Sequence, residues 1–131
     1  MVLVLDTRFL IAHTFPPTEE DRKKLKEFSS RIAREGLVIP PVVAVEFIKL
    51  AGLKLGREGA EVRLKRWINT CARIYEVGEE ESFLAGRMAL SHGGVPLADV
   101  IIGAVAKILK TAVVSDDPHF FELGVRTIWY R

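Results

Sequence analysis

Several carboxylic acids in this chain lie in or directly after apolar stretches, where an acid is unusual. Asp6 follows the first apolar run, and Glu46 and Asp99 lie within later apolar segments. Asp116 and Asp117 are adjacent and follow a β-like run near the C-terminus. An ionised carboxylate withdrawn from water is costly unless a cation or a hydrogen-bond donor stabilises it. We therefore expect these acids to share a metal cation.

Each acid also has a purely structural explanation. Asp6 is a favourable N-cap for a following helix, and Glu46 could pair with Lys49 three residues later on a helix surface. Asp99 would interact favourably with the dipole of a helix that it begins. The late pair of acids could form a plain turn before Pro118. Asp99 is the clearest indication of a site, because the positions that follow it at helical spacing are apolar.

The composition indicates one globular domain over residues 1–131, with 49% hydrophobic and 27% charged residues. The net charge is only +2, but several acids lie in apolar segments, so the solvent-facing charge should be more basic. Cys71 is the only cysteine, which excludes an internal disulfide and a thiolate metal cluster. No signal peptide or long apolar span is evident, so we expect a cytoplasmic protein without membrane contact.

Strand and helix patterns alternate along the chain. Short apolar runs predict strands at residues 2–5, 37–39, 73–77, 111–115 and 125–130. Helical patterns fall at residues 8–13, 18–36, 41–54, 58–72, 79–91 and 96–110. In the helix at 58–72 we expect Val62, Trp67 and Ile68 to face inward and Arg63 and Lys65 to face solvent. The alternation predicts a single α/β domain with a mainly parallel sheet.

Four motifs, taken in order, resemble the PIN-domain family of metal-dependent nucleases, and in particular its small VapC-type toxins. They are Val4-Leu5-Asp6-Thr7, Val45-Glu46-Phe47, Leu97-Ala98-Asp99 and the segment Val114-Ser115-Asp116-Asp117-Pro118-His119-Phe120. Each motif is weak alone, but their order and spacing agree over essentially the whole chain. The resemblance implies a three-layer α/β/α fold around the central, mainly parallel sheet.

The resemblance also assigns site residues. It implies a catalytic quartet of Asp6, Glu46, Asp99 and Asp117, with Asp6, Asp99 and Asp117 binding metal and Asp116 open as the alternative late acid. Ser115 corresponds to the hydroxyl residue beside the acids. Independently of the resemblance, we expect substrate contacts from Ser115, Thr7 and Arg8, and from the basic residues Arg57, Arg63 and Lys65 bordering the site. For each basic residue on a helix, an ordinary solvated surface position is about as good an explanation.

The ligand type indicates the cofactor and the reaction. Carboxylate oxygens without cysteine or clustered histidine favour Mg²⁺ or Mn²⁺ over zinc. One or two such ions activate water for in-line attack on a phosphodiester and stabilise the leaving oxygen. The family resemblance implies RNA as the substrate, with single-stranded or looped RNA preferred, together with a homodimer and a small antitoxin partner.

Two residues depart from the family pattern. Arg8 stands where relatives usually have Ser or Asn, and it would either grip a substrate phosphate or pair with the acids. His119 stands where many relatives have another acid, and we expect it to be a solvent-exposed turn residue. Two alternatives to the toxin remain open: a ribosomal-RNA processing nuclease of the same family, and a degenerate module that binds RNA or protein without cutting. The short chain, without a zinc ribbon or a second domain, favours the toxin.

Overall fold

A computed structural model describes all residues 1–131 and contains one five-stranded sheet. Every neighbouring pair of strands is parallel, which confirms the predicted sheet type. The spatial order is β3-β2-β1-β4-β5. The strands are β1 (Leu3–Leu5), β2 (Leu37–Ile39), β3 (Ala72–Ile74), β4 (Val113–Val114) and β5 (Thr127–Ile128).

Helices connect all successive strands, as parallel pairing requires. They are α1 (Thr7–Thr14), α2 (Glu19–Ile32), α3 (Pro41–Thr70), α4 (Glu79–Ser91), α5 (Leu97–Leu109) and the short α6 (His119–Glu122). A 3₁₀ turn, Ala33–Glu35, leads from α2 into β2. The sheet is the middle layer of the predicted α/β/α arrangement. None of the helices combines the length and the hydrophobicity needed to cross a lipid bilayer.

The central strands are apolar throughout because both faces of the sheet are covered. Val4 and Leu5 of β1 and Val38 of β2 are completely buried. Strand β1 pairs with β4 in a register that places Leu5 opposite Val114. This register aligns the carboxyl ends of two strands that are far apart in sequence, and the residues that follow them therefore meet.

Local sequence signals explain the borders of α2. The Thr18 hydroxyl accepts a hydrogen bond from the backbone N–H of Asp21 at 3.0 Å, which is a standard N-cap interaction. The inner face of α2 is apolar, and its residues Leu25, Phe28 and Ile32 are all buried.

Segment α3 contains the two helices predicted at residues 41–54 and 58–72, joined across a kink. It runs from Pro41 to Thr70 and is interrupted only at Gly56, whose φ of 77° is accessible mainly to glycine. The break changes the helix phase, so that Ala60 and Leu64 face the core. Val62 lies between them in sequence and therefore on the opposite side. The prediction that Val62 faces inward was wrong, since it is 52% exposed.

The later strands are shorter than predicted, and a helical turn replaces a predicted turn near the C-terminus. Only Val113–Val114 and Thr127–Ile128 have strand geometry in the segments predicted as 111–115 and 125–130. After Pro118, the chain forms α6, which places Phe120 completely inside the core. One buried aromatic residue in a four-residue segment gives no detectable periodicity, so this turn of helix was not predicted.

Candidate metal centre

The candidate site begins where β1 and β4 end. The Asp6 backbone N–H donates to the carbonyl of Val114 at 3.4 Å, continuing the pairing of the two strands. The Ser115 hydroxyl then donates to Asp6 Oδ2 at 2.6 Å. Both residues lie at the carboxyl edge of a parallel sheet, where α/β folds place ligand chemistry.

Asp6 combines the two roles considered from the sequence. Its Oδ1 accepts the backbone N–H of Thr7 at 2.8 Å, so it caps α1. It is only 3% exposed, and this burial raises the pKa of Asp6 to about 6, against the opposing effect of the Ser115 hydrogen bond. The negative charges of Asp99 and Asp117 contribute to this raised pKa. A nearby cation would stabilise the ionised form of Asp6.

Glu46 is connected to the site through Thr7. The Thr7 hydroxyl donates to Glu46 Oε1 at 2.7 Å, which links α3 to the start of α1. Glu46 is partly buried and forms no ion pair with Lys49, the surface partner considered from the sequence. The structure therefore places Glu46 beside the hydroxyl residue that follows Asp6.

The loop after β4 turns Asp117 toward the site and Asp116 away from it. The Asp117 backbone N–H donates to the Ser115 hydroxyl oxygen at 3.0 Å. The Asp117 side chain is 12% exposed and that of Asp116 is 40% exposed. Of the two late acids, Asp117 is the one whose carboxylate lies near the other acids.

His119 lies between two carboxylates. Its Nδ1 is 2.9 Å from Asp99 Oδ2 and 3.1 Å from Asp117 Oδ1. The hydrogen bond to Asp99 and the nearby negative charges raise the pKa of His119. Burial raises the pKa of Asp99, and this effect outweighs the opposing hydrogen bond from His119.

The expectation that His119 is a solvent-exposed turn residue was wrong. Only a third of its side chain is exposed, because α6 begins at His119 and directs the ring toward α5. The sequence contained one signal of this role, which is that His119 occupies a position where relatives often have an acid. Asp99, Asp117 and His119 each offer one ligand atom, and these atoms lie within 4.8 Å of one another.

Arg8 contacts the late acids. Its Nε is 3.0 Å from Asp116 Oδ1, and its Nη1 is 3.5 Å from Asp117 Oδ2. Two roles were considered for Arg8, phosphate binding and pairing with the acids, and in this structure Arg8 pairs with the acids.

The other predicted basic residues lie away from the acids. Arg57 is exposed on α3 directly after the break at Gly56. Arg63 and Lys65 line other cavities, neither of which contains an acid of the cluster. No ion pair or side-chain hydrogen bond connects these three residues to the acids.

Comparison with known proteins identifies the family. The sequence model of the PIN domain matches residues 3–125. The chain belongs to the PIN-domain family. Among curated protein sequences, none matches this PIN domain at a significant level.

Solved structures share the fold. VapBC2 from Rickettsia felis, bound to a promoter DNA fragment, superimposes with a TM-score of 0.80 at 12% identity, covering 98% of both chains. VapBC-1 from nontypeable Haemophilus influenzae superimposes with a TM-score of 0.77 at 17% identity, covering 99% of this chain and 98% of the other. VapC20 from Mycobacterium tuberculosis, a sarcin-ricin loop cleaving toxin, superimposes with a TM-score of 0.76 at 16% identity. The alignment covers 94% of this chain and 95% of the other.

The donor set of this PIN domain fits a hard divalent cation. Asp6, Asp99 and Asp117 offer carboxylate oxygens, the ligands preferred by Mg²⁺ and Mn²⁺. The Ser115 hydroxyl and the Thr7 backbone N–H orient Asp6, and the Thr7 hydroxyl orients Glu46, without neutralising either acid, since these groups supply only hydrogen bonds. The charges of neighbouring acids contribute to the raised pKa values of Asp6 and Asp99, and a bound cation would relieve this repulsion.

The repulsion among the acids leads to a stability prediction. In chelator, Asp99→Asn should keep or raise the melting temperature, by roughly 0–4 °C, because it removes a buried charge that repels its neighbours. Asp21→Asn is the matched control, since hydrogen bonds from Thr18 and Tyr130 stabilise the ionised form and lower the pKa of Asp21. This control should lower the melting temperature. A loss in Asp99→Asn as large as that in the control would show that Asp99 is a structural cap.

Proposed function

We propose that this PIN domain is a metal-dependent endoribonuclease and the toxin of a toxin-antitoxin pair. The observation that carries the proposal is the continuous hydrogen-bonded network at the carboxyl edge of the sheet. It runs from Glu46 through Thr7, Asp6 and Ser115 to Asp117, and His119 extends it to Asp99. Four acids from four parts of the chain are thereby held together.

The side chains divide into those that hold a cation and those that orient them. Asp6, Asp99 and Asp117 would bind Mg²⁺ or Mn²⁺, and His119 adds a nitrogen donor beside two of them. When bound, the cation would activate water and stabilise charge at the scissile phosphate. Ser115 fixes the Asp6 carboxylate and the Asp117 backbone at once, so the two acids keep one relative position.

The substrate assignment follows from charge and from the family. The cluster of acids repels a phosphodiester until a cation is present, which makes cleavage dependent on metal. The VapC20 structure is that of an RNA-cleaving toxin, and this supports RNA as the polymer. The roles of Arg57, Arg63 and Lys65 in holding RNA stay predictions.

The first functional prediction is metal-dependent cleavage of RNA. Purified protein should cut single-stranded RNA with Mg²⁺ or Mn²⁺ and stop in chelator. Asp6→Asn and Asp99→Asn should each lower the rate by at least about 100-fold, because residues that merely orient a metal ligand are already worth 10–100-fold. Gel analysis of end-labelled RNA measures this. Asp116→Asn is the matched control and should retain most activity, since the Asp116 side chain is more exposed than that of Asp117 and its charge does not contribute to the raised pKa values of Asp6 and Asp99.

Two outcomes would contradict this mechanism. Cleavage that persists in chelator would exclude the proposed cation, and full activity in both variants would exclude the acids. A folded protein that binds RNA but never cuts it would instead support the degenerate module. Selective cleavage of a precursor ribosomal RNA, without growth arrest on expression, would favour the processing nuclease.

Arg8 leads to a second prediction, because its guanidinium pairs with Asp116 and Asp117. Arg8→Ser should tighten metal binding and raise activity at low Mg²⁺, on the order of three-fold, as expected for a largely exposed ion pair. Arg22→Ser is the control, because it removes an equal charge that pairs with Glu19 on the surface of α2. Titration of metal measures the metal affinity, and titration of RNA measures the Michaelis constant. A higher Michaelis constant for RNA at unchanged metal affinity would show that Arg8 binds substrate phosphate instead.

The proposed partners are RNA, an antitoxin and a second copy of the chain. Several neighbouring structures are VapBC complexes, which supports a small antitoxin protein. An amphipathic antitoxin segment that offers Arg or Lys to the carboxylates would complement the charge of the site.

The dimer prediction concerns the exposed apolar side of α3. Val45, Leu50 and Leu53 are 67%, 44% and 81% exposed. Phe47 of the same helix is completely buried and belongs to the core, so it does not contribute to this surface. Leu53→Glu should convert a dimer to a monomer in light scattering at tens of micromolar, whereas Leu90→Glu on α4 should not. A monomeric wild-type protein would refute the dimer.

A further inference from the structure

A cavity of about 410 Å³ lies between the end of α1, the end of α2 and the last turns of α3. The size is typical of small-molecule sites. Its lining includes cationic, aromatic and small polar side chains, among them His13, Ser29, Arg63, Arg66, Trp67 and Cys71. None of the residues that line it is acidic.

The cavity and the acidic cluster lie at opposite edges of the sheet. Cys71 immediately precedes β3, and the 3₁₀ turn that begins at the cavity residue Ala33 leads into β2. Asp6 and Ser115 instead follow β1 and β4. Since all five strands are parallel, residues that precede strands lie at the amino ends of the sheet, and residues that follow strands lie at its carboxyl ends. The cavity is therefore separate from the candidate metal centre.

Two guanidinium groups at the cavity have no carboxylate partner. Arg63 and Arg66 form no ion pair, and their side chains donate no hydrogen bond within the chain. The Ser29 hydroxyl donates to its own helix at the Lys26 carbonyl and lies 3.3 Å from Nε2 of His13. The two arginines are the cationic donors of the cavity. Burial and the charge of Arg63 lower the pKa of His13, which is consistent with a positive potential here.

The aromatic wall of the cavity is fixed in place. The Trp67 ring packs edge-on against His13 at 4.9 Å and against Phe9 at 5.7 Å between centroids. Trp67 is only partly buried, and it faces the cavity beside the free arginines. A rigid indole next to unpaired guanidinium groups can bind a flat ring and a phosphate at once.

We propose that this cavity binds a nucleoside phosphate. Arg63 and Arg66 would bind the phosphate, because the planar guanidinium fork matches phosphate oxygens and makes strong charge-assisted hydrogen bonds. Trp67 would contact the base, since aromatic side chains stack on any nucleobase. The inference is independent of the proposed nuclease activity. The same chemistry fits a free nucleotide and the phosphorylated end of an RNA strand, and the experiment separates these sources.

The primary experiment is calorimetric titration of wild-type protein with AMP in chelator. AMP should bind to saturation, and adenosine and inorganic phosphate should each bind at least about ten-fold more weakly. Adenosine lacks the phosphate that the arginines would bind, and inorganic phosphate lacks the base that Trp67 would contact. A 5′-phosphorylated pentaribonucleotide forms the second arm. If it displaces AMP, the source is an RNA end, and if only AMP binds, the source is a free nucleotide. Absence of AMP binding overturns the proposal and would leave the cavity to a protein partner.

Variants locate the binding. The double variant Arg63→Gln, Arg66→Gln should weaken AMP binding about ten-fold or more, whereas Arg87→Gln, an exposed arginine on α4, should not. Asp99→Asn should bind AMP like the wild type, so that failure of this proposal and failure of the nuclease proposal are distinguishable. Equal AMP affinity in the double variant and the wild type would overturn the assignment of this cavity.

Cys71 provides a readout that needs no variant. It is the only cysteine, is half-buried and lines the cavity. AMP should slow its alkylation by iodoacetamide several-fold, and adenosine at the same concentration should have little effect. Alkylation that AMP does not slow would mean that any AMP binding occurs elsewhere.

Discussion

The parallel pairing of β1 with β4 is the constraint on which the candidate metal centre depends. This pairing places Leu5 opposite Val114, so that the next residue of each strand, Asp6 and Ser115, come within hydrogen-bond distance. From there the loop after β4 directs Asp117 inward. A shift of one residue in this register would turn every side chain of β4 to the opposite face. The buried side chains of both strands prevent such a shift, and the geometry of the centre follows from the packing of the core.

The environment of the candidate metal centre is unfavourable for the negative charges of its acids. Asp6 and Asp99 both have raised pKa values because they are withdrawn from water and lie near other acids. Hydrogen bonds from the Thr7 backbone and the Ser115 hydroxyl offset only part of this cost. Such arrangements are common at functional sites and are uncommon where stability is the only requirement. The acids are thus already held close together by the fold, and cation binding would require little rearrangement.

The sequence predicted what depends on short-range pattern. The buried strands, the cap at Thr18 and the acid after β1 could each be recognised from a few neighbouring residues. The ordered motifs indicated the family and thereby the grouping of distant acids. Arg63 was expected near RNA but lines a cavity at the other edge of the sheet, because the break at Gly56 determines where the second half of α3 points. The contact of His119 with Asp99 also depends on tertiary packing, which no local pattern encodes.

The long separation between β1 and β4 has a consequence for synthesis. A chain that emerges from the ribosome in order exposes Asp6 and Glu46 while Ser115 and Asp117 have not yet been made. The hydrogen bond from Ser115 to Asp6 spans 109 positions, and the sheet cannot close around β1 before β4 is available. A nascent or truncated chain that ends before β4 therefore lacks Ser115, Asp117 and His119, whose hydrogen bonds connect the acids of the centre. For the proposed toxin, the translating ribosome would meet the complete centre only after β4 and the loop that follows it have been made, so the topology itself would delay the onset of activity.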